Sequence, residues 1–192
     1  MREPPTEAVP AVWRQRSDGS LAFEAFWRSL PKSGLVPSRE TFVLENAEQF
    51  RQNVILVEAP SPERRSLNFR MAGDIVGERT GRDVEGTNYL DYLPAEQHAE
   101  SLEAARLVSE HPCGIWQLTP ISYERGFSQF IEVTTFPLGP GADGVPLLVG
   151  FLAFHYGTSD YLVMPTDRAV SAETSRIFEF IDIGAGIPTL KI

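Results

Sequence analysis

Few side chains in this chain are equipped for chemistry: three histidines, His98, His111 and His155, the single Cys113, and carboxylates such as Asp91 and Glu132 in patterned segments. A pocket enzyme would need a buried Asp, Glu or His with a shifted pKa. Glu132, His98 and Asp91 are the candidates, and alternation along a strand sets Glu132 opposite Ile131 and Val133. No carboxylate is positioned to complete a nucleophilic triad. His111 and Cys113 stand two positions apart and both suit a soft metal, but a structural zinc site needs a second close pair. His111 fits better as a helix-terminal residue beside carbonyl ends, with Pro112 stopping the helix. Cys113 then reads as a small, partly buried apolar residue, and His155 as an ordinary strand residue. Residues 139–144 spell G-x-G-x-x-G, yet a dinucleotide site requires a helix to follow, and here an apolar strand follows, so the stretch reads as a hairpin loop. The chain contains no P-loop, no G-x-S-x-G and no zinc-protease helix motif.

The elements that would position these groups follow from periodicity. Residues 1–20 carry Pro4, Pro5 and Pro10 and read as a mobile arm. Residues 21–52 form an N-terminal helical flank, with an amphipathic helix over 21–30 that Pro31 ends. Ser38 or Asn46 is placed to cap a turn further on. Val54-Ile55-Leu56-Val57 reads as a strand buried on both faces. A hairpin then leads to a second strand, in which Leu67, Phe69 and Met71 alternate with Asn68 and Arg70. Asp74 is placed as N-cap of a short helix over 75–80, closed by Gly81. Pro94 opens a longer amphipathic helix to Glu110. Three strands follow, over 114–123, 127–138 and 145–156, in a meander. From residue 158 the chain is a C-terminal extension, in which 169–180 reads as a helix or as an extended arm.

The segment Ser66 to Gly86, SLNFRMAGDIVGERTGRDVEG, resembles the PAS-like domain of a family of small bacterial stand-alone proteins. In that family a strand leads into A-G-x-x-x-x-x-x-x-G-R-x-x-x-G, matched here by Ala72, Gly73, Gly81, Arg82 and Gly86. The resemblance begins near Trp27, passes through Pro37 and Arg39, and ends near Tyr156, roughly two thirds of the chain. It departs from the family at Glu45-Asn46, where an Asp-Pro pair is common. The resemblance implies an α+β PAS-like core over 53–157: a five-stranded antiparallel sheet with helices over one face, plus the N-terminal helix and the C-terminal extension. It implies a pocket between helices and sheet, with Arg70, Tyr89, Tyr92, His98 and Trp116 as candidate ligand-binding residues. Trp116, Phe127, Phe130, Phe136, Phe151 and Phe154 would line such a cavity or pack as core.

Composition sets the remaining bounds. With 42% hydrophobic and 22% charged residues the chain reads as one ordinary globular domain with extensions. A net charge of −9 opposes nucleic-acid binding, which draws on cationic contacts. The longest apolar run, 147–154, is far short of the roughly 20 residues that span a bilayer. Prolines and acids stand where a secretory signal needs an apolar stretch, which predicts a cytoplasmic protein, and the lone cysteine fits a reducing compartment. The reading that follows is a non-enzymatic sensory or interaction module acting in trans, with no cofactor assigned, a signalling protein as partner and a possible small-molecule ligand. A homodimer is expected through Phe23, Phe26 and Trp27. The alternatives are a small cone-shaped α+β enzyme with a pocket acid or base, and a scaffold that binds protein without any ligand.

Overall fold

The computed structural model describes residues 9–155 and 169–190. The predicted arm up to residue 8, the strand end at Tyr156 and the extension through residue 168 lie outside the described residues. The first helix, α1 (Asp18–Ser29), starts inside the stretch expected to be mobile. Ser17 is the reason: its hydroxyl accepts the Ser20 N–H at 3.2 Å, satisfying an N–H that helix geometry leaves unpaired. Ahead of it, a single 3-10 turn (Ala11–Trp13) sets the Trp13 ring against Phe130 and His155. The arm is thus docked from residue 11 onward. Pro31 follows the extended Leu30 (ψ 140°) and ends α1 as expected.

The strands are β1 (Val54–Glu58), β2 (Phe69–Ala72), β3 (Cys113–Tyr123), β4 (Ser128–Leu138) and β5 (Leu147–His155), arranged β2-β1-β5-β4-β3 with every described pair antiparallel. This is the predicted two-plus-three order, and β1 is buried on both faces as its apolar run implied. Gly126, at φ 82°, makes the tight turn between β3 and β4. The G-x-G-x-x-G stretch is the loop joining β4 to β5. The alternation in β2 breaks where pairing shifts from Leu56↔Met71 to Val57↔Phe69. Arg70 is the extra residue of that bulge, and Met71 joins the opposite face from Phe69.

Between β2 and β3 lie α2 (Asp74–Thr80) and α3 (His98–Glu110). The N-cap of α2 is Gly73 rather than Asp74. A Cβ at Gly73 would sit 2.4 Å from the carbonyl oxygens of Arg51 and Gln52, so only glycine fits. Gly81 closes α2 in the left-handed region at φ 64°, as expected. The long helix starts later than predicted, at His98, because Ala95–Gln97 forms a 3-10 turn after Pro94.

The expected five strands are joined by two more. Residues 169–180 are not a helix: β6 (Ala169–Ala172) and β7 (Ile177–Asp182) both pair along the free edge of β3. The Ile121↔Ala172 and Ser122↔Ser171 pairs hold one end, and the Leu118↔Ile177 to Cys113↔Asp182 ladder holds the other. An eleven-residue strand left as an edge would present unpaired N–H and C=O groups along its length. That long-range pairing outweighs the local helix preference of the segment.

The sheet separates two cores. On one face α2, α3 and the turn at Tyr89–Tyr92 cover Ile55, Val57, Ile115, Ile131 and Leu152. On the other, where only a flank was expected, α1 and the helical segment Leu44–Asn53 cover Val54, Phe136, Leu138, Val149 and Phe151.

Candidate ligand site

The face of the sheet under α3 is incompletely filled. A cavity of about 260 Å³ lies there, floored by alternate residues of β1, β3, β4 and β5 and roofed by α3 and the Tyr89–Tyr92 turn. Residues 169–178 supply a third wall, so the added strands enclose the space as well as covering the edge of β3. Gly150 helps keep the floor low: a Cβ there would meet Ile55 Cγ1 at 2.9 Å.

Most of the wall is aliphatic or aromatic, and its polar groups are nearly all uncharged. Tyr89 from the roof and Gln117 from β3 both line the cavity. Burial pushes the Tyr89 pKa up, with the nearby Gln117 side chain partly countering it, so the phenol stays protonated. The Tyr92 hydroxyl is 3.1 Å from Thr87 Oγ1. Thr119 and Ser175 hydroxyls share a 2.7 Å hydrogen bond, and Gln97 Nε2 donates to Thr174 Oγ1 at 3.1 Å, tying the third wall to sheet and roof. The two charged residues among the lining, Arg79 and Glu100, are half-buried and opposite in sign.

An antiparallel sheet of five core strands, helices packed over it and a cavity beneath them are the architecture the resemblance implied, and a family model described as PAS domain matches residues 1–153. The chain belongs to the PAS domain family. PAS domains in general are sensory and interaction modules. No curated protein matches the chain. In this PAS domain no helix among the described residues is long and apolar enough to cross a membrane.

Of the five candidate ligand residues, the fold brings Tyr89 and Tyr92 to the cavity and leaves three elsewhere. Trp116 lies on the opposite face of the sheet, because its neighbours Ile115 and Gln117 take the cavity side. Arg70, carried out by the bulge, pairs with Glu58 and reaches Asp143 at 3.7 Å. His98 starts α3 with Nε2 at 3.1 Å from the Leu93 carbonyl oxygen. Of the aromatic set, Phe154 alone lines the cavity. Phe130, Phe136 and Phe151 face α1 and its approach, and Phe127 stacks on Tyr123. Two of the three candidate dimer residues are interior, and the third, Phe26, is half-buried. Phe23 and Trp27 are 0% and 1% exposed within one protomer, and Phe26 packs on Phe42 and Phe50.

The candidate acid–base residues do not converge on the cavity. Asp91 is exposed. Glu132 is 1% exposed, but on the α1 face. Its Oε1 accepts from Trp116 Nε1 at 2.8 Å and Ser17 N at 3.0 Å, and its Oε2 lies 3.0 Å from His155 Nε2. Burial opposes the charge, yet the hydrogen bonds from His155, Ser17 and Trp116 outweigh it and hold the carboxyl at about 2. This group anchors the start of α1 to the sheet. His111 Nε2 contacts the Gly186 carbonyl at 3.3 Å, and Cys113 is fully buried with its thiol pushed up to about 12 by burial. Among the described residues no group of three His, Cys, Asp or Glu could hold a metal.

Sequence reasoning missed Gln117, Gly150 and the wall 169–178. Two signals were available: a glutamine inside an apolar strand run, and a glycine in the middle of Leu147–Phe154.

Proposed function

We propose that this PAS domain is a non-enzymatic, cytoplasmic sensory module that binds a small molecule between α3 and the sheet and acts in trans on a separate signalling protein. The observation that carries the reading is the 260 Å³ cavity, a void with convergent polar groups in an otherwise packed core. A scaffold that only binds protein has no need of such a space. A pocket enzyme would want its acid or base inside it, whereas Glu132 serves α1 on the far side of the sheet. Occupancy would act through the walls. Ligand contact with Tyr89 and with the segment held by Thr119–Ser175 biases the packing of the turn and of β6–β7. A homodimer fits this role, formed by surface other than Phe23 and Trp27.

Native and denaturing mass spectra of the freshly purified protein test the reading. The expected native spectrum shows a dimer carrying extra mass that is lost on denaturation. A native spectrum with no releasable mass would remove the retained ligand and leave an interaction role.

A further inference from the structure

Resting on the reading that the cavity is a ligand site, we infer that its ligand is an uncharged, mainly apolar molecule bearing one hydrogen-bonding group, which pairs with Tyr89 and Gln117. Size comes first. Pockets for drug-sized molecules run roughly 300–1,000 Å³, so a 260 Å³ cavity suits a compact molecule of roughly ten to fifteen non-hydrogen atoms. Charge comes next. A buried ion needs a partner of opposite sign, since desolvation without one is costly. The lining offers one cationic and one anionic residue, Arg79 and Glu100, so its formal charges cancel and give no net attraction to an ion of either sign. Arg79 is already placed over the Phe154 ring at 5.8 Å. The protein's net charge of −9 adds a further bias against anions.

The hydrogen-bonding group follows from valence. A tyrosine hydroxyl has one donor and two acceptor positions, and a glutamine amide has two donors and a carbonyl. Tyr89 and Gln117 both line the cavity, so donor and acceptor capacity faces it. A ligand hydroxyl or carbonyl satisfies that capacity, whereas a pure hydrocarbon leaves it unmet. The surrounding walls, Val57, Phe69, Ala104, Ile115 and Phe178, offer only apolar contact.

Three probes of one shape separate the terms: 2-naphthol, 2-naphthoate and 2-naphthylmethylammonium, titrated at neutral pH into the full-length protein. The methyl resonances of Ala104 and Ala105, both buried in the cavity roof, report occupancy. The expected result is that 2-naphthol shifts these methyls and binds at least about tenfold more tightly than either ion, about 1.4 kcal/mol. Tyr89→Phe should weaken 2-naphthol several-fold while leaving the protein's melting temperature close to wild type. If either ion shifts the same methyls with equal or higher affinity, the charge inference falls and the ligand-site reading stands. If 2-naphthol binds Tyr89→Phe unchanged, the assigned anchor is wrong. If no probe moves the two methyls, the ligand-site reading itself fails, and this inference with it.

Discussion

The two faces of one sheet are built to different standards. On the α1 face, Trp27 stacks on Phe136 with ring centroids 4.8 Å apart, and Phe23 packs on Phe50, Phe136 and Phe151. The polar groups placed there are tied down: Trp27 Nε1 donates to the Pro137 carbonyl at 3.0 Å, Ser20 and Thr134 share a hydroxyl bond, and Glu132 has three partners. On the α3 face the same strands leave a void rimmed by hydroxyls and amides with spare hydrogen-bonding capacity. Close packing and satisfied polar groups mark a surface selected for stability. Unfilled volume with convergent polar groups marks one kept open for something else. The chain thus separates its structural core from its candidate site by the thickness of a sheet.

The largest effect expected from breaking this contrast is Trp27→Ala. The ring is 1% exposed and its N–H is bonded, so truncation leaves both a cavity and an unpaired Pro137 carbonyl. A loss of about 3–5 kcal/mol is expected in urea denaturation. If Trp27 instead served a dimer interface, the substitution would shift the assembly state and leave the protomer's stability nearly intact. Light scattering beside the denaturation curve separates the two.

Glu132→Gln comes next. The neutral amide keeps the shape but loses the charge-assisted bonds, a cost of about 2–3 kcal/mol near neutral pH. Its pH dependence has a definite sign. The folded-state pKa of about 2 lies below the ordinary 4.5, so the contribution is fully present above about pH 4.5 and is lost as pH falls toward 2. Denaturation across that window should show a steeper slope in wild type than in Glu132→Gln, the remainder coming from other carboxylates held below their ordinary pKa, such as Glu24 and Asp143. Equal slopes would mean that the carboxylate is not what fastens Ser17 and α1 to the sheet. A cavity-face residue such as Tyr89 should leave this window untouched.

What was legible in the sequence and what was not divides along the same line. The five core strands along the chain and the glycine closing α2 could be read because local patterns dictate them: alternation, turn residues and a left-handed position at Gly81. Alternation also placed Trp116 and Gln117 on opposite sides of β3, but no local rule says which side holds the void, and the wrong one was favoured. Tyr89 and Tyr92 were readable because one short turn presents both. The Glu132 cluster was not. Its partners sit diagonally across two strand pairs, Trp116 near the Leu118↔Glu132 register and His155 near Glu132↔Ala153, with Ser17 arriving from 115 residues away. The choice left open for the tail, helix or extended arm, could not be made from sequence for a similar reason, since its strands exist only because the edge of β3 is there to receive them.

Two strand glycines give the finest test, because the same one-carbon change probes each face. A Cβ at Gly114 would lie 2.5 Å from Phe136 Cε1 and 3.1 Å from Ile181 Cβ, inside the filled core. Phe136 is 0% exposed and stacked between α1 residues, so it has nowhere to go, and Gly114→Ala should cost about 1–3 kcal/mol. A Cβ at Gly150 meets Ile55 at 2.9 Å, but that side chain borders the cavity and can turn into it. Alanine also restricts the unfolded chain, a gain of about 0.4–1 kcal/mol where the backbone permits it. Gly150→Ala should therefore stay within about 0.5 kcal/mol of wild type in the same denaturation assay. It should also weaken 2-naphthol, because Ile55 now occupies part of the space. Equal costs at the two glycines would mean that the α3 face is as tightly packed as the α1 face and that no usable void separates them.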